Sequence, residues 1–231
     1  MIRVTENLGK IRDLLADTAA AAGRPADSVR LLAVSKKQPL ERVREAIAAG
    51  QREFGENQAA EGVDRIARLG DDRLCWHFIG HLQSNKTRVV AAHFDWVHSL
   101  DRAKTARRLS AQRPGELGDL NVCLQVNVDA EAGKSGVAPK DLPDLARRVL
   151  DLPRLRPRGL MCLPRIREDF DAQREPFVRL REMAEELRRS GIDTDTLSMG
   201  MSGDFRAAVF EGSTIVRVGT AIFGSRSVSG S

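Results

Sequence analysis

Eight short apolar runs of strand length, each followed by a stretch patterned like a helix, constrain this chain more than any other feature. In order they are 29–35 (VRLLAVS), 52–57 (REFGEN), 76–80 (WHFIG), 96–100 (WVHSL), 121–128 (NVCLQVNV), 154–164 (RLRPRGLMCLP), 196–200 (TLSMG) and 213–219 (STIVRVG). The fifth alternates Val122, Leu124, Val126 and Val128 with Asn121, Cys123, Gln125 and Asn127, the period of a strand. Ahead of them, Leu8, Ile11, Leu14, Leu15, Ala19 and Ala22 recur at helical spacing, with Thr5 in position to cap and Gly23 and Pro25 to stop the helix. Further helices are expected over 40–47, up to Leu69, over 87–92, before Pro114, over 142–150, over 177–189 opened by Pro176, and over 204–210. No fixed repeat and no Pro/Gly/Ser linker divides the chain, so residues 1–231 read as one domain whose tail, 225–231, frays. Eight βα units in 231 residues fit a single (β/α)8 barrel, near the usual ~250. A doubly wound open sheet is the alternative, because periodicity does not register closure.

Composition narrows the function. No apolar run approaches the ~20 residues that span a bilayer, and the charged start MIRVTENLGKIRDLL lacks the core of a signal peptide. A cytoplasmic protein without a membrane partner is expected. The net charge of +5 comes mostly from arginine, seven of the 37 basic residues being lysine, and these are interleaved with 32 acids. That is the pattern of solvated helix faces and not of a nucleic-acid-binding stripe. Cys75, Cys123 and Cys162 are far apart and form no CxxC pair, which speaks against a disulfide framework or a zinc site. His77 and His81 lack the glutamate of a zincin motif, so no metal is expected.

In a βα barrel, ligands bind where strands end and helices begin. The polar residues fall there: Lys36 after the first run, Asn57 after the second, the turn HLQSNK after the third, Asn127 ending the fifth, Ser202 and Asp204 after the seventh, and Gly219 and Thr220 after the eighth. The segment 200–204 (GMSGD) opens a helix that Ser202 or Asp204 can cap, and free amides at such a start suit a phosphate. Gly219 allows close approach and Thr220 offers a hydroxyl. Both segments also read simply as caps and turns. Arg217 shares a strand face with Ile215 and Gly219, opposite Val216 and Val218, which would turn it into the barrel mouth, where it needs an acceptor. An arginine paired to a structural carboxylate is the other reading. Lys36 and Lys37 point to opposite faces if strand geometry persists, and parity does not say which points inward. A lysine attacks carbonyls when its amine is neutral, which burial near cations promotes.

LLAVSK, FGEN, WHFIGHLQSNK, SGV preceded by Lys134, RGLMCLP, LSMGMSGDF and VRVGTAIFG together resemble the YggS/PROSC family of pyridoxal-phosphate (PLP) homeostasis proteins, in the family's order from residue 31 to 224. The resemblance implies a single TIM barrel of the alanine-racemase N-terminal kind (PLP fold type III), with PLP held as a Schiff base on Lys36. It also implies that Ser202, Gly219 and Thr220 hold the phosphate, that Arg217 meets the pyridine nitrogen, and that Asn57 lies beside the ring. Lys134 matches a lysine on a mobile loop near the pocket. One departure stands out: Gln58 replaces the tyrosine that usually follows FGEN.

An arginine at the pyridine nitrogen cannot accept the proton that makes PLP an electron sink. Alanine racemases work with a lysine and a tyrosine, the latter from a second domain and subunit. This chain contains no tyrosine and no expected second domain. The expected function is therefore a vitamin B6 homeostasis protein, a monomer that holds PLP reversibly with little or no turnover. The alternative is a weak PLP-dependent racemase or lyase using Lys36 with an acid such as His77 or Asp204.

Overall fold

The structure, a computed structural model, describes residues 3–224. In chain order the elements begin with α1 (Val4–Ala21), β1 (Arg30–Val34), α2 (Leu40–Ala48), β2 (Glu53–Glu56), α3 (Ala59–Leu69), β3 (Cys75–Phe78), α4 (Thr87–His93), β4 (Trp96–Leu100) and α5 (Ala103–Gln112). They continue with β5 (Leu120–Val126), α6 (Leu142–Leu150), β6 (Leu155–Cys162), α7 (Phe170–Arg189), β7 (Thr196–Ser198), α8 (Phe205–Phe210), β8 (Ile215–Val218) and α9 (Thr220–Phe223). All eight strands are parallel and each pairs with the next. β8 pairs back onto β1 with Leu31 opposite Val216 and Leu32 opposite Arg217, which closes the barrel. The sheet is closed, not doubly wound.

Strand alternation sorts the side chains into two cores. Leu31, Ala33, Phe54, Phe78, Val97, Val122, Leu124, Leu160, Val216 and Val218 face outward and merge with the buried faces of the helices into one apolar shell. The interior is different. Trp96, Cys123 and Met161 form a small separate cluster, and His77, His98, Ser198 and Arg217 are buried with them. Barrel interiors are ordinarily filled by branched aliphatic side chains; this one carries a polar column.

The eighth helix of the outer ring is the four-residue α9, too short to cover β8 and β1. The N-terminal α1 fills the gap, packing on α2, α8 and α9. Asn7 fastens it by donating from Nδ2 to the Ile222 carbonyl at 2.9 Å.

Several boundaries differ from the sequence reading. Thr5 lies inside α1, whose N-cap is Arg3 with no side-chain cap. Val29 and Ser35 flank β1 without belonging to it, and β5 stops at Val126. Asn127 instead shapes the following turn, accepting from the Glu131 amide at 3.1 Å and donating to the Glu131 carbonyl at 2.8 Å. The tail 225–231 lies outside the described residues. The largest difference is Pro176, which sits inside α7 and does not open it. Proline lacks the N–H that would reach the carbonyl four residues back. The helix nonetheless starts six residues earlier because Asp169 caps it, its Oδ1 accepting from the Ala172 amide at 2.9 Å. Buried Pro176 and Phe177 then anchor both halves to the shell.

Because Pro176 interrupts the α7 ladder, Asp169→Ala is expected to lower stability by about 1 kcal/mol in urea unfolding. Hydrogen exchange should accelerate at amides before Pro176 and stay unchanged after Phe177; uniform exchange across the helix would mean that the cap does not hold the first turns.

Candidate functional site

The carboxyl ends of the strands surround a cavity of about 500 Å³. Lys36, Asn57, Ser202, Arg217, Gly219 and Thr220 all line it, together with Asp204. Sequence reasoning missed further wall residues, among them Ile79, Leu163, Ile166, Arg167 and Gln173. Leu163 and Ile166 are exposed apolar side chains in the segment after β6, and the rule that function gathers after each strand could have drawn attention to that segment.

Lys36 and Lys37 are separated by the backbone. Lys37 has φ +56°, a left-handed conformation that is uncommon outside glycine. Its amide donates to Glu61 Oε1 at 2.5 Å, and its side chain is exposed outside the cavity. Lys36 is half-buried and lines the cavity. On its other side, Ser35 Oγ donates to Glu56 Oε1 at 2.6 Å. Arg65 joins the two anchors, with Nε 3.0 Å from Glu56 Oε1 and Nη2 2.9 Å from Glu61 Oε1. Both chain neighbours of Lys36 are thus held by one ionic cluster.

Arg217 is buried at the cavity floor, as the strand-face reading predicts. Its acceptors are not a carboxylate. Nη1 donates to the Ser198 carbonyl at 2.6 Å and to Ser198 Oγ at 2.7 Å, and Nη2 donates to the Cys162 carbonyl at 2.8 Å. Gly219 passes so close to β1 that a Cβ there would lie 3.1 Å from the Val34 carbonyl oxygen. Neither Ser202 nor Asp204 caps α8 through its side chain. Asp204 Oδ1 instead accepts from the Met201 amide at 2.6 Å, which leaves the Ser202 and Gly203 amides without acceptors among the described residues. Burial raises the Asp204 carboxyl above its usual range, against the opposing pull of the Met201 amide and Arg217.

Asn57 also lines a second cavity of about 650 Å³ that shares Ile79, Leu163, Ile166 and Met201 with the first. Lys134 belongs to this second chamber and not to the first, and its Nζ lies 2.5 Å from Glu131 Oε1. Gln58 is exposed at the N-cap of α3, outside both cavities. His77 is fully buried beneath the floor and does not line the cavity, so it is not in reach as an acid there. Cys123 and Cys162 are buried core thiols, and burial pushes each up to about 12.

A flat ring with an aldehyde at one end and a phosphate at the other fits this set of groups. An amine stands on one wall, a fixed guanidinium on the floor, and unbonded amides with a glycine and a hydroxyl on the rim. Glycine matters at the rim because a side chain would push against β1.

The Glu56 carboxyl, wholly buried, is raised from 4.5 to about 7, chiefly by burial and against the pull of Arg65 and Ser35. Between those values the unfolded chain loses its proton while the folded one keeps it, so stability falls as pH rises from about 4.5 to about 7 and levels off above. The contribution is on the order of 3 kcal/mol. Glu56→Gln should flatten the pH dependence of urea unfolding across that window; an unchanged slope would show that another group titrates there.

A profile of the alanine racemase N-terminal domain family matches residues 7–227. The pyridoxal phosphate homeostasis protein of Pseudomonas aeruginosa is 55% identical over 226 residues, covering 98% of this chain and 97% of the relative. Among solved structures, PipY of Synechococcus elongatus with PLP bound superposes with a TM-score of 0.84 at 39% identity, over 96% of this chain and 100% of that one. Alanine racemase from Corynebacterium glutamicum shares the fold alone, with a TM-score of 0.73 at 15% identity over 99% of this chain and 62% of the racemase. The closed barrel, the matched length and these identities lead to one conclusion: the chain belongs to the alanine racemase N-terminal domain family, among its YggS/PROSC-type members.

Proposed function

We propose that this protein binds pyridoxal 5′-phosphate in the cavity at the barrel mouth, linked through Lys36, and serves vitamin B6 homeostasis as a carrier with little or no turnover. The observation that carries the reading is convergence. Six residues from four separate βα junctions line one cavity. The homeostasis proteins that this chain resembles at up to 55% identity, and the PLP-bound form of PipY, support the same ligand.

In this reading the Lys36 amine would hold the aldehyde end of the cofactor. The Ser202 and Gly203 amides, the Gly219 backbone and the Thr220 hydroxyl receive the phosphate, and Asn57 borders the ring. Arg217 would meet the pyridine nitrogen as a donor only, since a guanidinium does not give up its proton in a protein. Bound PLP supplies an electrophilic carbon, and it becomes a strong electron sink only when its ring nitrogen is protonated. Arg217 opposes that protonation, which favours holding over turnover. Asp204 supports the second reading, a weak racemase or lyase, because it is a cavity carboxyl raised by burial and able to carry a proton. The proposal extends to a single-domain monomer acting in the cytoplasm, without nucleic-acid or membrane partners. Among the described residues no helix is long and apolar enough to cross a membrane.

Borohydride reduction of the PLP-loaded protein followed by peptide mapping should give a pyridoxyl adduct on Lys36, and Lys36→Ala should abolish the visible absorption band. An adduct confined to Lys37 or Lys134 would overturn the assignment. Exchange of amino-acid α-protons with solvent on a catalytic timescale would favour the enzyme over the carrier.

A further inference from the structure

The buried polar column inside the barrel has a direction. His98 Nδ1 lies 2.8 Å from Ser198 Oγ, and His77 Nδ1 lies 2.9 Å from His98 Nε2. At the far end, His77 Nε2 is 3.3 Å from Cys75 Sγ and 3.7 Å from Glu53 Oε2. Both rings are fully buried. Burial holds His77 well below the usual imidazole range, with Arg30 adding to it. Burial does the same for His98, helped by His77, Arg217 and Arg30. Each neutral ring then carries one proton, and the hydrogen-bond inventory decides where it sits.

A guanidinium only donates, so Ser198 Oγ accepts from Arg217. The serine hydroxyl must place its own proton, and His98 Nδ1 is its remaining partner among the described residues. His98 Nδ1 is therefore an acceptor, and the ring's proton is on Nε2. His98 Nε2–H donates to His77 Nδ1, which puts the His77 proton on Nε2 as well. That proton points at Cys75 and Glu53. Burial pushes the Cys75 thiol up to about 12, with Asp95 and Glu53 adding to it. Glu53 Oε2 is buried and has no hydrogen-bond partner among the described residues. With the opposite polarity, His98 would donate to Ser198 and the serine proton would have no acceptor, which is costly inside a core.

We propose that Ser198, His98 and His77 are positioning residues for Arg217, forming a one-way hydrogen-bond chain that runs from the barrel mouth to His77, whose Nε2 faces Cys75 Sγ at 3.3 Å. Every link donates away from Arg217. The chain therefore presents lone pairs to the guanidinium and fixes its plane, so that its remaining N–H groups face the cavity. The His77 ring is held in turn by stacking on Trp96, with ring centres 5.4 Å apart and planes 11° apart. Arg30 and Arg158 each lie over the Trp96 ring, at 5.0 and 4.9 Å. The functional consequence rests on the PLP reading above, whereas the polarity of the chain does not.

Nitrogen-15 NMR of histidine-labelled, PLP-free protein, assigned against the exposed His81 and His93, should show His77 and His98 neutral with the proton on Nε2 in each. A proton on Nδ1 of either ring, or a charged ring at neutral pH, would overturn the proposal. In Ser198→Ala, the side-chain N–H signals of Arg217 should broaden by exchange, PLP should bind about tenfold more weakly, and its visible band should shift while the adduct stays on Lys36. Ser198→Thr, which keeps the hydroxyl, should restore all three. An alanine variant with wild-type Arg217 signals, affinity and band would reject the positioning role, and if that variant does not fold, the wild-type tautomers decide. Wild-type protein that forms no Lys36 adduct would sink the PLP reading and leave the tautomer and Arg217 measurements standing.

Discussion

Closure of the sheet between β1 and β8 is the constraint on which everything else depends. The pairing of Leu32 with Arg217 and Ala33 with Val218 brings the first and last strands together across more than 180 residues of sequence. Without it the Lys36 amine and the Gly219–Thr220 turn would lie at opposite edges of an open sheet. With it they share one rim. The closeness of Gly219 to the Val34 carbonyl shows how tight that join is. Parallel pairing also sends every strand's carboxyl end to the same face, so a cavity there draws its walls from widely separated segments.

Closure forces a second choice, what to put inside. An interior of branched aliphatics would be the simplest filling. Here the interior holds Trp96, Cys123 and Met161, and beside them runs the polar column that ends on Arg217. Burying a guanidinium is tolerable only when its donors find acceptors. The Ser198 and Cys162 carbonyls and the Ser198 hydroxyl supply them at 2.6–2.8 Å. An interior arginine bound to neutral acceptors keeps its charge unneutralised, which suits a cavity receiving a phosphorylated anion.

Lys36 shows how local conformation and distant contacts divide the work. Two adjacent lysines are chemically equal in the sequence. Glu61 on α3 captures the Lys37 amide, while Ser35 is tied to Glu56 on β2. The backbone turn between them sends one side chain to solvent and leaves the other lining the cavity. Glu56 stands in FGEN, but neither it nor Arg65, which together organise this, gains a role from the sequence: a glutamate inside a strand and an arginine inside a helix look like surface charges until their burial is known.

What the sequence determined by itself was the alternation of strands and helices, the residue face on β8 that turns Arg217 inward, and the set of polar residues at strand ends that line the cavity. Those follow from periods of 2 and 3.6 and from turn chemistry, which are local. It misjudged the start of α7, because the cap supplied by Asp169 and the packing of Phe177 outweigh the missing amide of Pro176. It had no means of pairing His77 with His98, or His98 with Ser198 a hundred positions away, since nothing local sets the distance between side chains on different strands. Tertiary structure alone decided that the sheet closes, that α1 covers for the short α9, and that the interior is a hydrogen-bonded column, because each depends on which strands become neighbours when the ring is complete.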